Sequence, residues 1–97
     1  MYWATTIFRV QAWSPELAEA LRAWADHIAE AHPKVAEVRA YRYNGGTTVV
    51  WQEGFNDFHD YQELVDQEDD LCATVMSAVY RHAVPGSRSS RVWSDAV

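Results

Sequence analysis

The chain has one cysteine, one lysine and no apolar run of about 18 residues, and each scarcity removes a class of protein. Lone Cys72 excludes an intrachain disulfide. The missing apolar run excludes a membrane-spanning helix, and no basic start followed by an apolar stretch marks a signal peptide. Positive charge is short overall: Lys and Arg total 8 against 14 Asp and Glu, a net charge of −6. Arg9, Arg22, Arg39, Arg42, Arg81, Arg88 and Arg91 are dispersed, so a phosphate-backbone surface is not expected. Neither a Gly-x-Ser-x-Gly elbow, a phosphate-cradling glycine loop nor a dinucleotide fingerprint is present. The four histidines show no metal-ligand spacing, and Cys72 lacks a partner two residues away, so neither a metal nor another cofactor is expected. These readings together predict a soluble cytoplasmic protein without nucleic-acid or membrane partners.

What the chain has in excess is aromatic mass. Five Trp, five Tyr and three Phe in 97 residues exceed what one small core needs. The length allows a single domain, residues 1–97, and no repeat or low-complexity segment divides it. Residues 2–12, β-branched and aromatic without Gly or Pro, predict a first strand. Ser14-Pro15-Glu16 supplies an N-cap, a proline at the first helical position and an early acid. Leu17, Leu21, Trp24 and Ile28 then form one apolar stripe, which His32-Pro33 ends because the residue before proline avoids the α region. Val35–Tyr43 and Thr47–Phe55 predict two strands joined by the Asn44-Gly45-Gly46 turn. A long helix from about Phe58 to His82 follows, with Phe58, Tyr61, Leu64, Val65, Leu71, Cys72, Val75, Met76 and Val79 inward and the acidic run 66–70 placed to split it. Ser89 to Trp93 or beyond predicts the last strand.

The order β-α-β-β-α-β predicts an α+β, ferredoxin-like fold, a four-stranded antiparallel sheet with both helices on one face. A sheet half in water should alternate apolar and polar residues. Here Ala4, Phe8 and Val10 oppose Trp3, Ile7 and Trp13; Val49, Trp51 and Phe55 oppose Val50; Val38 and Ala40 oppose Tyr41 and Tyr43. Both faces carry apolar bulk, so a second copy of the chain is expected against the helix-free face. The eight acids from Glu53 to Asp70 read as a solvated helix face.

The element order, the passage Val49-Val50-Trp51-Gln52-Glu53-Gly54-Phe55-Asn56-Asp57-Phe58-His59-Asp60-Tyr61 and the closing Val84-Pro85-Gly86-Ser87 through Trp93 resemble the dimeric α+β barrel superfamily over essentially the whole chain. In look they are most similar to small NIPSNAP-type and antibiotic-biosynthesis-monooxygenase-type proteins. The resemblance implies two ferredoxin-like subunits packed sheet against sheet, with ligands held between sheet and helices. It also implies cofactor-independent monooxygenases, polyketide cyclases, isomerases or haem-degrading enzymes as relatives. Where the monooxygenase pattern has an aromatic before the second helix and His about nine residues later, this chain has Phe55 and, near the second position, Leu64. The Asn on the first strand used by haem-degrading relatives is absent.

Glu53 is the sharpest anomaly, a carboxyl on the face of Val49, Trp51 and Phe55. Buried without compensation it costs several kcal/mol, so it must be paired, protonated or solvated through a cavity. An ion pair with Arg39 or Arg9 is one reading; a general acid or base in an aromatic pocket is the other. His82, near the inward helix face, and His27, beside the apolar stripe, are further candidate acid–base groups, against plain helix-end capping and a half-solvated edge. His59 reads as exposed and His32 as a helix terminator. Trp24, Trp51, Phe55, Tyr61 and Tyr80 are the candidate ligand-binding residues, against plain core. The expected function is therefore a homodimeric, cofactor-independent monooxygenase or cyclase acting on a small aromatic or polyketide-type substrate. The alternative is a non-catalytic small-molecule-binding or assembly protein of the same fold.

Overall fold

The computed structural model describes residues 1–43, 46–66 and 70–96, the side chains of 70 and 71 excepted. Its elements are β1 (Tyr2–Arg9), α1 (Pro15–Ala31), β2 (Glu37–Tyr43), β3 (Thr48–Phe55), α2 (Phe58–Asp66), α3 (Asp70–Tyr80) and β4 (Ser89–Ser94). The strands form one antiparallel sheet in the order β2-β3-β1-β4, the ferredoxin-like arrangement expected from the element order. The second helical stretch is two elements, α2 and α3. Asn44 and Gly45 of the expected turn, the middle of the acidic run and the Leu71 side chain lie outside the described residues.

Local chemistry explains the boundaries. Ser14 is extended and its hydroxyl accepts from the Leu17 N–H at 3.2 Å, with Pro15 opening the helix behind it. His32 caps the other end, its N–H donating to the Ile28 carbonyl. The first strand stops at Arg9 rather than Ala12, because the chain must turn to reach that cap; Val10 keeps an isolated bridge to Ala83 and donates its N–H to the Thr47 carbonyl.

The core lies between the sheet and α1/α3. Phe8, Val10, Leu17, Leu21, Trp24, Ile28, Val49, Trp51 and Val79 form one buried cluster, with the α1 stripe complete. α2 departs from the expected pattern: Phe58 and Val65 are exposed, and no α2 residue is fully buried. Tyr61 instead leans edge-on against Phe55, and Phe58 packs on Tyr2. α2 packs on the ends of β1 and β3 more than in the core.

Register assigns the two sheet faces. Opposed pairs Phe8 and Val49, Thr6 and Trp51, and Ala4 and Glu53 face the helices. Trp3, Ile7, Tyr41, Tyr43, Val50 and Trp93 share the helix-free side. Expected to join Trp3 and Ile7 on that side, Trp13 instead sits beyond the strand end and packs against the core with the Arg42 guanidinium 4.5 Å above its ring. Trp3 lies over Gly54, where a Cβ would come within 2.9 Å of the indole and 2.8 Å of the Met1 sulfur. Glycine is required there by close approach rather than by backbone angle.

Candidate active site

The cavity between sheet and helices arises where the sheet carries small residues. Ala4 and Thr6 on β1 and Ser90 on β4 leave floor space beside Glu53 and Trp51, and Tyr61, Cys72, Met76 and Tyr80 close it from the helical side. Its volume is about 530 Å³, within the range of small-molecule pockets. Arg88 also lines it, whereas Arg91, paired with Thr5, turns its side chain to the helix-free face.

Glu53 is 9% exposed on this floor. Contrary to the expected Arg39 or Arg9 pairing, no Lys or Arg among the described residues forms an ion pair with it. Arg39 is on the opposite face, bound to Glu37 at 2.7 Å and stacked over Trp3 at 4.3 Å, and Arg9 is exposed. The partner of Glu53 is the indole two residues earlier, Trp51 Nε1 donating to Oε1 at 3.0 Å. Burial pushes the Glu53 carboxyl above its ordinary value, and the Trp51 hydrogen bond offsets part of that by favouring the carboxylate.

Three aromatic side chains define the wall. Trp24 from α1 stacks on Trp51 at 3.9 Å and 4°, and Tyr80 meets Trp24 edge-on at 5.6 Å. Trp24 Nε1 is buried without a hydrogen-bond partner, a cost that a ligand acceptor would remove. Burial raises the Tyr80 phenol, and the Arg88 guanidinium over its ring at 4.4 Å opposes the rise, so the hydroxyl stays neutral near pH 7.

Of the residues singled out by sequence, Glu53, Trp24, Trp51, Tyr61 and Tyr80 line this cavity. Phe55 is fully buried behind Tyr61 and does not. His82 follows the end of α3, where Arg81 Nε approaches its Nε2 at 3.4 Å, and it is not on the cavity wall. Nor is His27, which meets His32 edge-on at 5.8 Å between ring centres. His59 is exposed and pairs with Glu63.

Sequence reasoning missed two features. Arg88 stands just before the last strand, and its guanidinium reaches the cavity wall 4.4 Å over the Tyr80 ring, a contact between segments joined only by packing. The second is a cluster: His27, His32 and Cys72 place one donor atom each within 4.8 Å of one another. His32, read as a helix terminator, is both the α1 cap and 8% exposed within this group. Motif spacing has no access to it, because its members come from α1, the residue after it and α3.

No family model matches the chain, and no curated protein matches it. Solved structures do match. SnoaB, a cofactor-independent oxygenase from Streptomyces nogalater, superposes with TM-score 0.79 at 10% identity, covering 99% of this chain and 93% of its own. An antibiotic biosynthesis monooxygenase gives 0.72 at 12% identity, covering 100% and 99%. An uncharacterized NIPSNAP domain protein from Burkholderia xenovorans gives 0.64 at 15% identity, covering 99% and 95%. No helix among the described residues is long and apolar enough to cross a membrane. At such identities the likeness is one of fold, and the chain has the ferredoxin-like architecture of antibiotic-biosynthesis-monooxygenase-type and NIPSNAP-domain proteins.

Proposed function

We propose that this chain is a cofactor-independent enzyme, a monooxygenase or cyclase, acting on a small aromatic or polyketide-type substrate held between sheet and helices. The observation that carries the reading is Glu53, a buried carboxyl with a raised affinity for protons and an indole donor, on the floor of a ligand-sized aromatic cavity. Desolvation makes its carboxylate a stronger base than one in water, suited to removing an acidic C–H or phenolic proton from a ligand resting on Trp24 and Trp51. The enolate or phenolate left behind meets the positive charge of Arg88, and the Trp24 N–H supplies a donor to a ligand oxygen. In an oxygenation, dioxygen is the co-substrate and the substrate itself the reductant: a CH2 becomes C=O, one oxygen atom entering at the deprotonated carbon and the other leaving as water with that carbon's two hydrogens. In a cyclisation the same carbanion attacks a carbonyl of its own chain. Positioning and one proton transfer supply the catalysis.

The active form in this reading is a homodimer joined through the helix-free faces, supported by the partly exposed Trp93, Tyr41 and Tyr43 there, 44%, 47% and 66% exposed. Light scattering on the eluting protein checks it, and a monomer at micromolar concentration overturns that part. For the chemistry, planar polyphenolic and polyketide-like compounds are screened for binding, then for product and oxygen uptake. Glu53→Gln should lower kcat by about 10²–10⁴-fold while leaving the melting temperature no lower than wild type. A compound that binds tightly with neither product nor oxygen uptake would point to the non-catalytic binding role.

A further inference from the structure

The His27, His32 and Cys72 cluster stands apart from the Glu53 chemistry. A half-buried imidazole from α1, a buried one from its cap and a buried thiol from the first turn of α3 converge, with all three donor atoms within 4.8 Å of one another. Such convergence is unusual for a core: two imidazoles and a thiol occupy ground where α1 and α3 would otherwise pack aliphatic carbon. Bond lengths of about 2.3 Å to sulfur and 2.0–2.1 Å to nitrogen set tetrahedral edges of roughly 3.3–3.6 Å, so an ion needs each donor to move inward by about 1 Å or less, which side-chain rotation provides.

Donor type selects the ion. A thiolate with two imidazoles suits thiophilic metals and not magnesium or calcium, and Met76, one turn along α3, holds its thioether 3.7 Å from the Cys72 sulfur, softening the set further. Access exists from both sides. Cys72 and Met76 border the 530 Å³ cavity, while His32 borders a second one of about 320 Å³ whose mouth carries Asp60 and Glu63. We propose that His27, His32 and Cys72 form a binding site for one thiophilic metal ion, copper(I) or zinc(II), which pins the C-terminal end of α1 to the start of α3.

The test uses the full chain stripped with chelator. Zinc(II) is titrated against a chromophoric chelator, copper(I) likewise without oxygen, and cobalt(II) serves as spectroscopic probe. The expected result is one equivalent of zinc or copper bound more tightly than about 1 µM, with a raised melting temperature. Cobalt should give a thiolate charge-transfer band. Cys72→Ser should abolish the band and weaken binding at least about 100-fold, more than loss of an outer-sphere partner does. His27→Ala, at the half-buried position, should weaken binding similarly and keeps the test open if Cys72→Ser does not fold. Absence of stoichiometric binding by either ion, or binding that survives both substitutions, overturns the proposal.

Discussion

On the helical side of the sheet, Trp51 is 2% exposed and lies flat on Trp24, while on the other side Trp3 is partly exposed beneath the Arg39 guanidinium, 4.3 Å from its ring. The first ring is held by other rings and donates its N–H to a buried carboxyl; the second donates to exposed Asp95 at 3.2 Å and carries a cation. Tyr41, Tyr43 and Trp93 extend the second pattern, interleaved with Arg39, Glu37 and Arg91. Aromatic surplus is thus two populations. Toward the helices it is consumed by packing and frames one carboxyl in low dielectric. Away from them it is spread among charges, a composition that suits water or a polar-rimmed interface more than a dry core.

The largest effect that separates the faces is truncation of each tryptophan. Trp51→Ala removes a fully buried ring, its stack on Trp24 and the Glu53 donor, and should cost about 3–5 kcal/mol, a large part of the stability of a small domain. Trp3→Ala should cost a small fraction of that. Chemical denaturation of both variants measures the contrast, and equal losses would show that the two faces are equally buried in solution.

Gly54→Ala sharpens the comparison where the faces share a backbone. The added methyl points to the helix-free side and meets the Trp3 ring and the Met1 sulfur at under 3.0 Å, so the indole must shift. A loss of about 1–3 kcal/mol is expected, with a changed near-ultraviolet signal from Trp3. An unchanged spectrum would place Trp3 elsewhere.

How far the sequence discloses these faces follows from which interactions are local. Strand alternation and the α1 stripe depend on residues a few positions apart, so the element order, the sheet and the buried set Leu17, Leu21, Trp24 and Ile28 are legible without coordinates. Glu53 stands out because it breaks a local pattern. Its partner does not: the nearest charges in the pairing scheme are Arg39 and Arg9, yet pleat parity turns both to the opposite face and leaves Trp51 as donor. α2 misleads for a related reason, since its apolar residues have helical spacing while they meet only the ends of β3 and β1, at Phe55 and Tyr2. The His27, His32 and Cys72 cluster and the contact of Arg88 with Tyr80 depend on packing between segments that periodicity does not relate.

Acidity distinguishes the faces next. The unfolded Glu53 carboxyl titrates near its ordinary 4.5, and the folded one titrates higher because burial penalises its charge. Between those values the folded state holds a proton that the unfolded state has released, so the Glu53 contribution, full below 4.5, is lost as pH rises through the folded value. Glu53→Gln keeps an acceptor for the Trp51 indole and removes the titration. The variant should therefore gain on wild type in thermal midpoint as pH rises above 4.5, with the smallest difference below it. A difference that stays flat with pH would mean that the carboxyl is solvated in both states.

Arg39→Ala is expected to have the smallest effect on folding. The guanidinium is exposed, its ion pair with Glu37 lies two residues away on the same strand, and water and salt screen both. Its ring contact is the one feature that a merely solvated arginine would lack, so removing it should alter Trp3 fluorescence while leaving the denaturation midpoint within error. Association responds differently if the helix-free face meets a second copy: an arginine held over an indole is then desolvated by the partner, and its loss should raise the dimer dissociation constant although the monomer is untouched. Sedimentation of wild type and variant across a concentration series therefore reads the two faces apart. A variant that unfolds more easily but associates normally would place Arg39 in the fold, and make the helix-free face as structural as the one that holds Glu53.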